Sequence, residues 1–192
     1  MKRSGESWQS VVAVCAVAFS LTACVTTKKY NSMLQQQKAL ESSLQSEVNA
    51  DQVKIEQLED GIRVRMSGEL LYRSGSVGLS PSGEKTLAKV APQLATMAAQ
   101  NNEIDVVGNT DNVPIGPELA ERYPTNWELA GARAAVVVRY LQANGVDPSK
   151  LRAISAGQYH PVDPNDSASA REQNRRTDLL LRPPASSAVA PQ

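Results

Sequence analysis

Residues 106–115 read VVGNTDNVPI, and the stretch changes character in its middle. Ile104, Val106 and Val107 have the look of a buried strand that stops at Gly108. Asn109, Thr110, Asp111 and Asn112 then follow with no apolar residue among them. Four polar side chains in a row are either a plain turn or a site, and the elements on both sides decide which.

Downstream, a helix is predicted from about Asn126, which stands at an N-cap position. Leu129, Ala132, Val136, Val137 and Leu141 form its core face, and Asn144-Gly145 stops it. Leu151 to Ser155 reads as a short strand. Ser169 and Glu172, in S-x-x-E spacing, predict a brief helix, and Thr177 to Leu181 a last strand. Upstream, Ile62, Val64 and Met66 alternate with Arg63, Arg65 and Ser67, the period of a half-buried strand. After the YRSGSVGLS loop comes a helix opened by Ser80 with Pro81 in its first turn, carried by Leu87, Val90, Leu94 and Met97. Pro92 should bend it or end it early, because proline removes a backbone donor.

The order β-α-β-α-β-α-β predicts an α/β fold, a sheet covered by helices, with a right-handed crossover in its middle unit. In such sheets the loops at the carboxyl ends of parallel strands form the natural ligand crevice. The NTDN loop leaves such an end, which raises it above an arbitrary surface turn.

The termini read differently. Lys2 and Arg3 precede an apolar run, Val11 to Leu21, which has the length of a signal-peptide core rather than the roughly 20 residues of a membrane span. It ends in LTAC, residues 21–24, which resembles the bacterial lipobox; an ordinary cleavage site beside a chance cysteine is the other reading. With a lipobox, residues 1–23 are a signal peptide, Cys15 leaves with it, and Cys24 is acylated. No thiol then remains for a disulfide, metal or nucleophile. Val25 in place of Asp after the cysteine favours the outer membrane by resemblance to sorting patterns. Residues 183–192, PPASSAVAPQ, lack an apolar period and are expected to be disordered.

From Tyr30 to Ile62 there is no proline, and Tyr30, Met33, Leu40, Leu44, Val48, Ile55, Leu58 and Ile62 fall on one helical stripe. Residues 24–60 therefore read as a lipidated N-terminus and helical stalk. It is either a short coiled coil that makes a homo-oligomer or a solvated helix packing against its own domain. About 33 helical residues would reach on the order of 50 Å.

Three blocks carry a family resemblance: GNTDNVPI, NWELAGARAAVVVRYL and NRRTDLLL. In that order they resemble the signature blocks of the OmpA-like C-terminal domain, which anchors envelope proteins to peptidoglycan. The match covers about residues 61–182 and implies a mixed sheet in an α+β sandwich. It also implies that Asp111 and Arg133 hold the zwitterionic end of diaminopimelate in the stem peptide. That chemistry is sound, since Arg pairs with a carboxylate and a carboxylate accepts from an ammonium. Without a ligand the same two residues would simply form a salt bridge. Thr110 and Asn112 can supply donors around them, and Asn126 either caps its helix or touches the ligand. Trp127 and Leu129 read as packing. Of Arg175 and Arg176 only one should look into the pocket, because neighbours on a strand point to opposite faces. Arg176 is the one expected there, with Asn174 fixing the loop. Asn109 stands where the family commonly has histidine, and Ala130 where it has serine. The long connection from Asn112 to Thr125 could form a flap. The DN-x-PI and NWEL arrangement resembles the flagellar-stator and lipoprotein branch.

Composition excludes other classes. Lys plus Arg and Asp plus Glu each number 20, and without Lys2, Arg3 and Glu6 the mature chain carries a net charge of −1. Nucleic-acid binding has no electrostatic footprint in that balance. His160 is the single histidine, so an enzyme, a metal or a cofactor is not expected. The expected function is that of an outer-membrane lipoprotein on the periplasmic face, gripping peptidoglycan and tethering the membrane to it. The alternative is a regulatory envelope lipoprotein whose stalk binds an inner-membrane protein, with wall binding only positioning it.

Overall fold

The structure is a computed structural model that describes residues 30–183. The expected signal peptide, Cys24 and the tail beyond Pro183 lie outside the described residues. The chain divides into two compact units at Gln36 and Gln37. Residues 30–36, the described part of the first, are helical.

The second unit opens with α1 (residues 37–43) and α2 (Gln45–Asn49), followed by the hairpin β1 (Val53–Leu58) and β2 (Gly61–Ser67). Next come α3 (Gly68–Leu71), α4 (Pro81–Ala99), β3 (Glu103–Asn109), the single turn α5 (Pro117–Ala120) and α6 (Asn126–Ala143). β4 (Leu151–Gly157), α7 (Ala168–Asn174) and β5 (Arg176–Arg182) complete it. The five strands lie in the order β1-β2-β5-β3-β4. β3 and β4, joined through α6, are parallel, and every other neighbouring pair is antiparallel. The mixed α/β architecture is the one the sequence predicts, with one strand more.

That strand corrects the stalk. The helix stops at Asn49 and Asp51 takes φ +56°, so Val53–Leu58 turns back to pair with β2. Val53, Ile55 and Gln57 are spaced by two, and a stripe thin enough to be read at helical spacing satisfies this period as well. Pairing with the open edge of β2 satisfies the backbone groups on that side of the strand together and decides between them. Leu40 and Leu44 are fully buried and belong to the main hydrophobic core. The compact unit therefore begins well before Gly61, and from Gln37 the helix packs on its own domain rather than serving as a spacer. Glu47 reinforces this by accepting from Lys89 Nζ on α4 at 2.6 Å. Burial pushes the Glu47 carboxyl up, but the bonds from Lys89 and Ser46 outweigh it and hold the group below its ordinary value. Leu44→Ala should cost about 2–5 kcal/mol in urea unfolding, the range for emptying a core leucine site. A loss under about 0.5 kcal/mol, as for a surface site, would show that the helix is not part of the core.

One face of the sheet and the helices share the core. Ile62, Val64 and Met66 of β2, Ile104 and Val106 of β3, and Leu179 and Leu181 of β5 meet Leu87, Val90 and Leu94 of α4 and Val137 and Leu141 of α6. Alternate strand residues point to the other face and form ion pairs across the strands, such as Arg65 with Asp178 at 3.1 Å and Arg63 with Glu56 at 3.3 Å. α4 runs through Pro92 to Ala99, so the proline does not end it early. The carbonyl that Pro92 leaves without a donor belongs to Ala88, which is exposed and reachable by water. Ser80 caps this helix as predicted, accepting from Gly83 N at 2.9 Å.

α6 fits β3 at very short range: a Cβ on Gly108 would lie 2.1 Å from the Ala130 carbonyl oxygen. Its buried positions are Asn126, Leu129, Ala130, Ala134, Val137 and Leu141, so the expected core residues Ala132 and Val136 are only half-buried. The N-cap is Thr125, closing a capping box with Glu128, and Asn126 is the first helical residue. α7 is likewise capped by Ser167, two residues before the predicted motif.

Candidate functional site

β3 and β4 shift register between Gly108 and Asn109, and the chain then leaves the sheet. Thr110 N donates to Gly157 O at 2.9 Å and Thr110 Oγ1 to Asp111 O at 2.9 Å. Asn126, freed from capping, reaches across with its Nδ2 to Val113 O at 3.1 Å, Gln158 Oε1 at 2.7 Å and Asp111 O at 3.4 Å. These bonds fix the NTDN loop from both sides. Asp111 is 7% exposed. Its Oδ1 accepts from Val113 N at 3.1 Å and its Oδ2 from Arg175 Nη1 at 2.8 Å.

Arg133 does not form the salt bridge with Asp111 that the sequence allowed. Its Nε and Nη2 fork onto Ser76 O at 3.2 and 3.1 Å, and its guanidinium lies over Tyr72, 5.0 Å from the ring centre. Tyr72 is held by a 2.8 Å hydrogen bond with Thr177 Oγ1, and burial pushes its phenol up to about 12. Burial lowers the Arg133 pKa; Tyr72 and Asp111 oppose that shift, and Arg175 adds to it. Asp111 and Arg175 are thus close enough to act on Arg133 electrostatically without touching it.

Beside these groups lies a cleft of about 370 Å³, lined by Tyr72, Glu69, Arg73, Arg133 and Arg175 among others. Arg175 links it to the loop, with Nη1 on Asp111 and Nη2 3.7 Å from Glu69. The guanidinium of Arg133, two of whose nitrogens rest on Ser76, keeps Nη1 for a further acceptor. A buried carboxylate beside two guanidiniums can hold a ligand that carries both signs of charge.

The expected choice of Arg176 over Arg175 is reversed in placement. Arg176 is 6% exposed and turned away from the cleft, with Nε donating to Asp178 Oδ2 at 3.1 Å and Nη2 to His160 O at 3.0 Å. Its pKa is lowered by burial, against the pull of Asp178. Arg175, the α7 C-cap, precedes the strand, so the alternation starts one residue later than the sequence suggested. Asn174, fully buried, accepts from Val162 N and Asp163 N and donates to Asp163 O, holding the 162–165 loop.

Asn112 is exposed on the loop. Asn109 is buried and donates to Val107 O at 3.2 Å. Ala130 is buried against Gly108. The connection after Asn112 contains α5, and none of its residues lines the cleft. Trp127, read as packing, is 45% exposed and stacks on Tyr159. Tyr72 and Ser76 carried no signal of their own in the sequence, because their role is to seat an arginine 57 residues away from Ser76. Among the described residues no group of three or more His, Cys, Asp or Glu could hold a metal ion. No helix among them is long and apolar enough to cross a membrane.

A mixed sheet backed by helices, with a buried carboxylate and two guanidiniums near the end of β3, defines a mixed α/β domain with a charged site at one end of its sheet. The chain belongs to the OmpA family, whose model matches residues 71–175. The Escherichia coli (strain K12) protein named Probable lipoprotein YiaD is 30% identical over 143 residues, 74% of this chain and 61% of that protein. Motility protein B of Helicobacter pylori (strain J99 / ATCC 700824) is 28% identical over 127 residues, 66% of this chain and 48% of that protein. The chain thus spans 48–61% of the length of these relatives. Among solved structures, a MotB-like protein from Desulfovibrio vulgaris superposes with a TM-score of 0.71 at 25% identity, covering 82% of this chain and 95% of that one. The cell wall anchor of the T6SS from Pseudomonas aeruginosa gives 0.66 at 30%, covering 75% and 96%.

Proposed function

We propose that the protein is an outer-membrane lipoprotein, acylated at Cys24, that noncovalently binds the diaminopimelate-containing stem peptide of peptidoglycan and tethers the membrane to the wall. The observation that carries this reading is Arg175, which bridges the buried Asp111 to the cleft that Arg133 and Arg175 line. A zwitterionic amino-acid terminus places its ammonium on Asp111 and its carboxylate on Arg133 Nη1. Binding exchanges Arg175 on Asp111 for the ligand's ammonium, and the released guanidinium turns to the carboxylate. Thr110 and Asn126 keep the Asp111 backbone still during this exchange, and Asn112 offers an exposed amide beside it. Asn174 and Arg176 brace the neighbouring loop. The likeness to a lipoprotein and to a cell wall anchor supports the reading. Burial of Leu40 and Leu44 weighs against the receptor-binding stalk, since these two residues of its apolar stripe are already covered.

Sedimentation with purified sacculi tests it. Hydrogen bonds to charged groups contribute about 1.5–3 kcal/mol each, so Asp111→Ala or Arg133→Ala should weaken binding roughly ten- to a hundredfold, and the double variant should stay in the supernatant. Equal retention of the double variant and the wild type would sink the proposal.

A further inference from the structure

Trp127 and Tyr159 form a stacked pair, with ring centroids 5.3 Å apart and an interplanar angle of 27°. The pair is 45% and 60% exposed and belongs to no part of the main core. The seat beneath Trp127 is shaped for it: a Cβ on Gly157, which has φ +56°, would come within 3.3 Å of the indole. Ser155 Oγ donates to the Trp127 carbonyl at 2.8 Å. Two large rings are therefore fixed in orientation yet left open to solvent.

Their position follows from the loop clamp. Asn126, which holds the carbonyls of Asp111 and Val113, also donates to Gln158, and the next residue on each side is Trp127 and Tyr159. The stack is the next contact beyond the clamp. Segment 155–160 has no Asp, Glu, Lys or Arg. An aromatic surface thus adjoins the loop that carries Asp111.

We infer that this stack is a sugar platform that takes a neutral hexopyranose ring of the glycan strand to which the stem peptide is attached. The inference rests on the proposed peptide site. An aromatic face carries the negative side of a quadrupole, and the C–H face of a pyranose presents the complementary positive edge. Two aromatic side chains offer at most about 300–500 Å². That is well below the ~800 Å² per partner of a stable protein interface, so a small rigid ring is the occupant that fits. A peptide bound at Asp111 brings its own sugar to this end of the domain.

Isothermal titration of the full chain with a diaminopimelate-containing stem peptide, and with the same peptide carrying its disaccharide, tests the inference. The disaccharide should raise affinity about three- to tenfold. Trp127→Ala and Tyr159→Ala should each remove that gain while leaving affinity for the bare peptide within about twofold, and Trp127→Phe should restore part of it. A bare peptide that binds equally with and without the disaccharide overturns the platform and spares the cleft. Equal losses for both ligands in Trp127→Ala and Tyr159→Ala also overturn it, since the pair would then only support the loop. A bare peptide that fails to bind overturns the cleft reading, and the platform with it.

Discussion

Gly108→Ala is expected to lower the thermal midpoint of the domain by roughly 10 °C, from a loss of about 3 kcal/mol. The added Cβ would sit 2.1 Å from the Ala130 carbonyl oxygen and 2.8 Å from its carbonyl carbon. Both are backbone atoms in the second turn of α6, so no side chain can swing aside; the helix must lift off β3 or the strand must move. Either shift disturbs Asp111, three residues along the same chain, and Asn126, at the start of the same helix. Calorimetry of the variant checks the stability. A change of less than about 2 °C would show that α6 is not held at that distance.

Arg176→Ala should cost about 3 kcal/mol of folding stability and leave ligand affinity unchanged. Its neighbour should cost less stability and lose affinity. Arg176 and Asp178 are both buried, with side chains 5% and 9% exposed. Removing one partner of a buried pair typically costs about 3–5 kcal/mol. The low end applies because Arg65 still meets Asp178 at 3.1 Å. The carbonyls of His160 and Asn174 lose a donor as well. Arg175 has a side chain 35% exposed and makes its pair at the cleft edge. Exposed pairs contribute about 0–1 kcal/mol, but the Asp111 side chain is only 10% exposed and keeps a single donor, Val113 N, so Arg175→Ala should cost about 1–2 kcal/mol, less than Arg176→Ala. Its affinity for the stem peptide should drop about tenfold, the loss of one charged hydrogen bond. Urea titration and isothermal titration on both variants separate the two roles. If Arg176→Ala binds tenfold more weakly at full stability, the assignment is reversed.

Both predictions concern features that single residues in the sequence could not reveal. The strand at 104–107, the cap at Ser80 and the stop at Asn144-Gly145 are legible because local backbone chemistry sets them, and the structure has them in place. The Asn126 amide is different. Its type suits a cap, but Thr125 stands one residue earlier with Glu128 in register, and that capping box releases Asn126 to clamp the loop. The helical stripe through Ile55 and Leu58 misled because a spacing fits two periods when few apolar residues define it. Trp127 was read as packing because a large apolar residue is usually covered.

The family resemblance singled out Asp111 and Arg133; the sequence alone determined the order of β2, α4, β3, α6, β4, α7 and β5 and the polar end of β3. Those depend on periodicity, caps and residue type, all local in the chain. The tertiary structure alone decided that Asp111 holds Arg175 rather than Arg133, that Arg176 turns to the opposite face, and that residues 53–58 close the sheet as its edge strand. Each of these is a choice between partners far apart in sequence. The strand register and the buried Leu40 and Leu44 settle them, because the register fixes which face a side chain occupies and burial fixes which helix the sheet can hold.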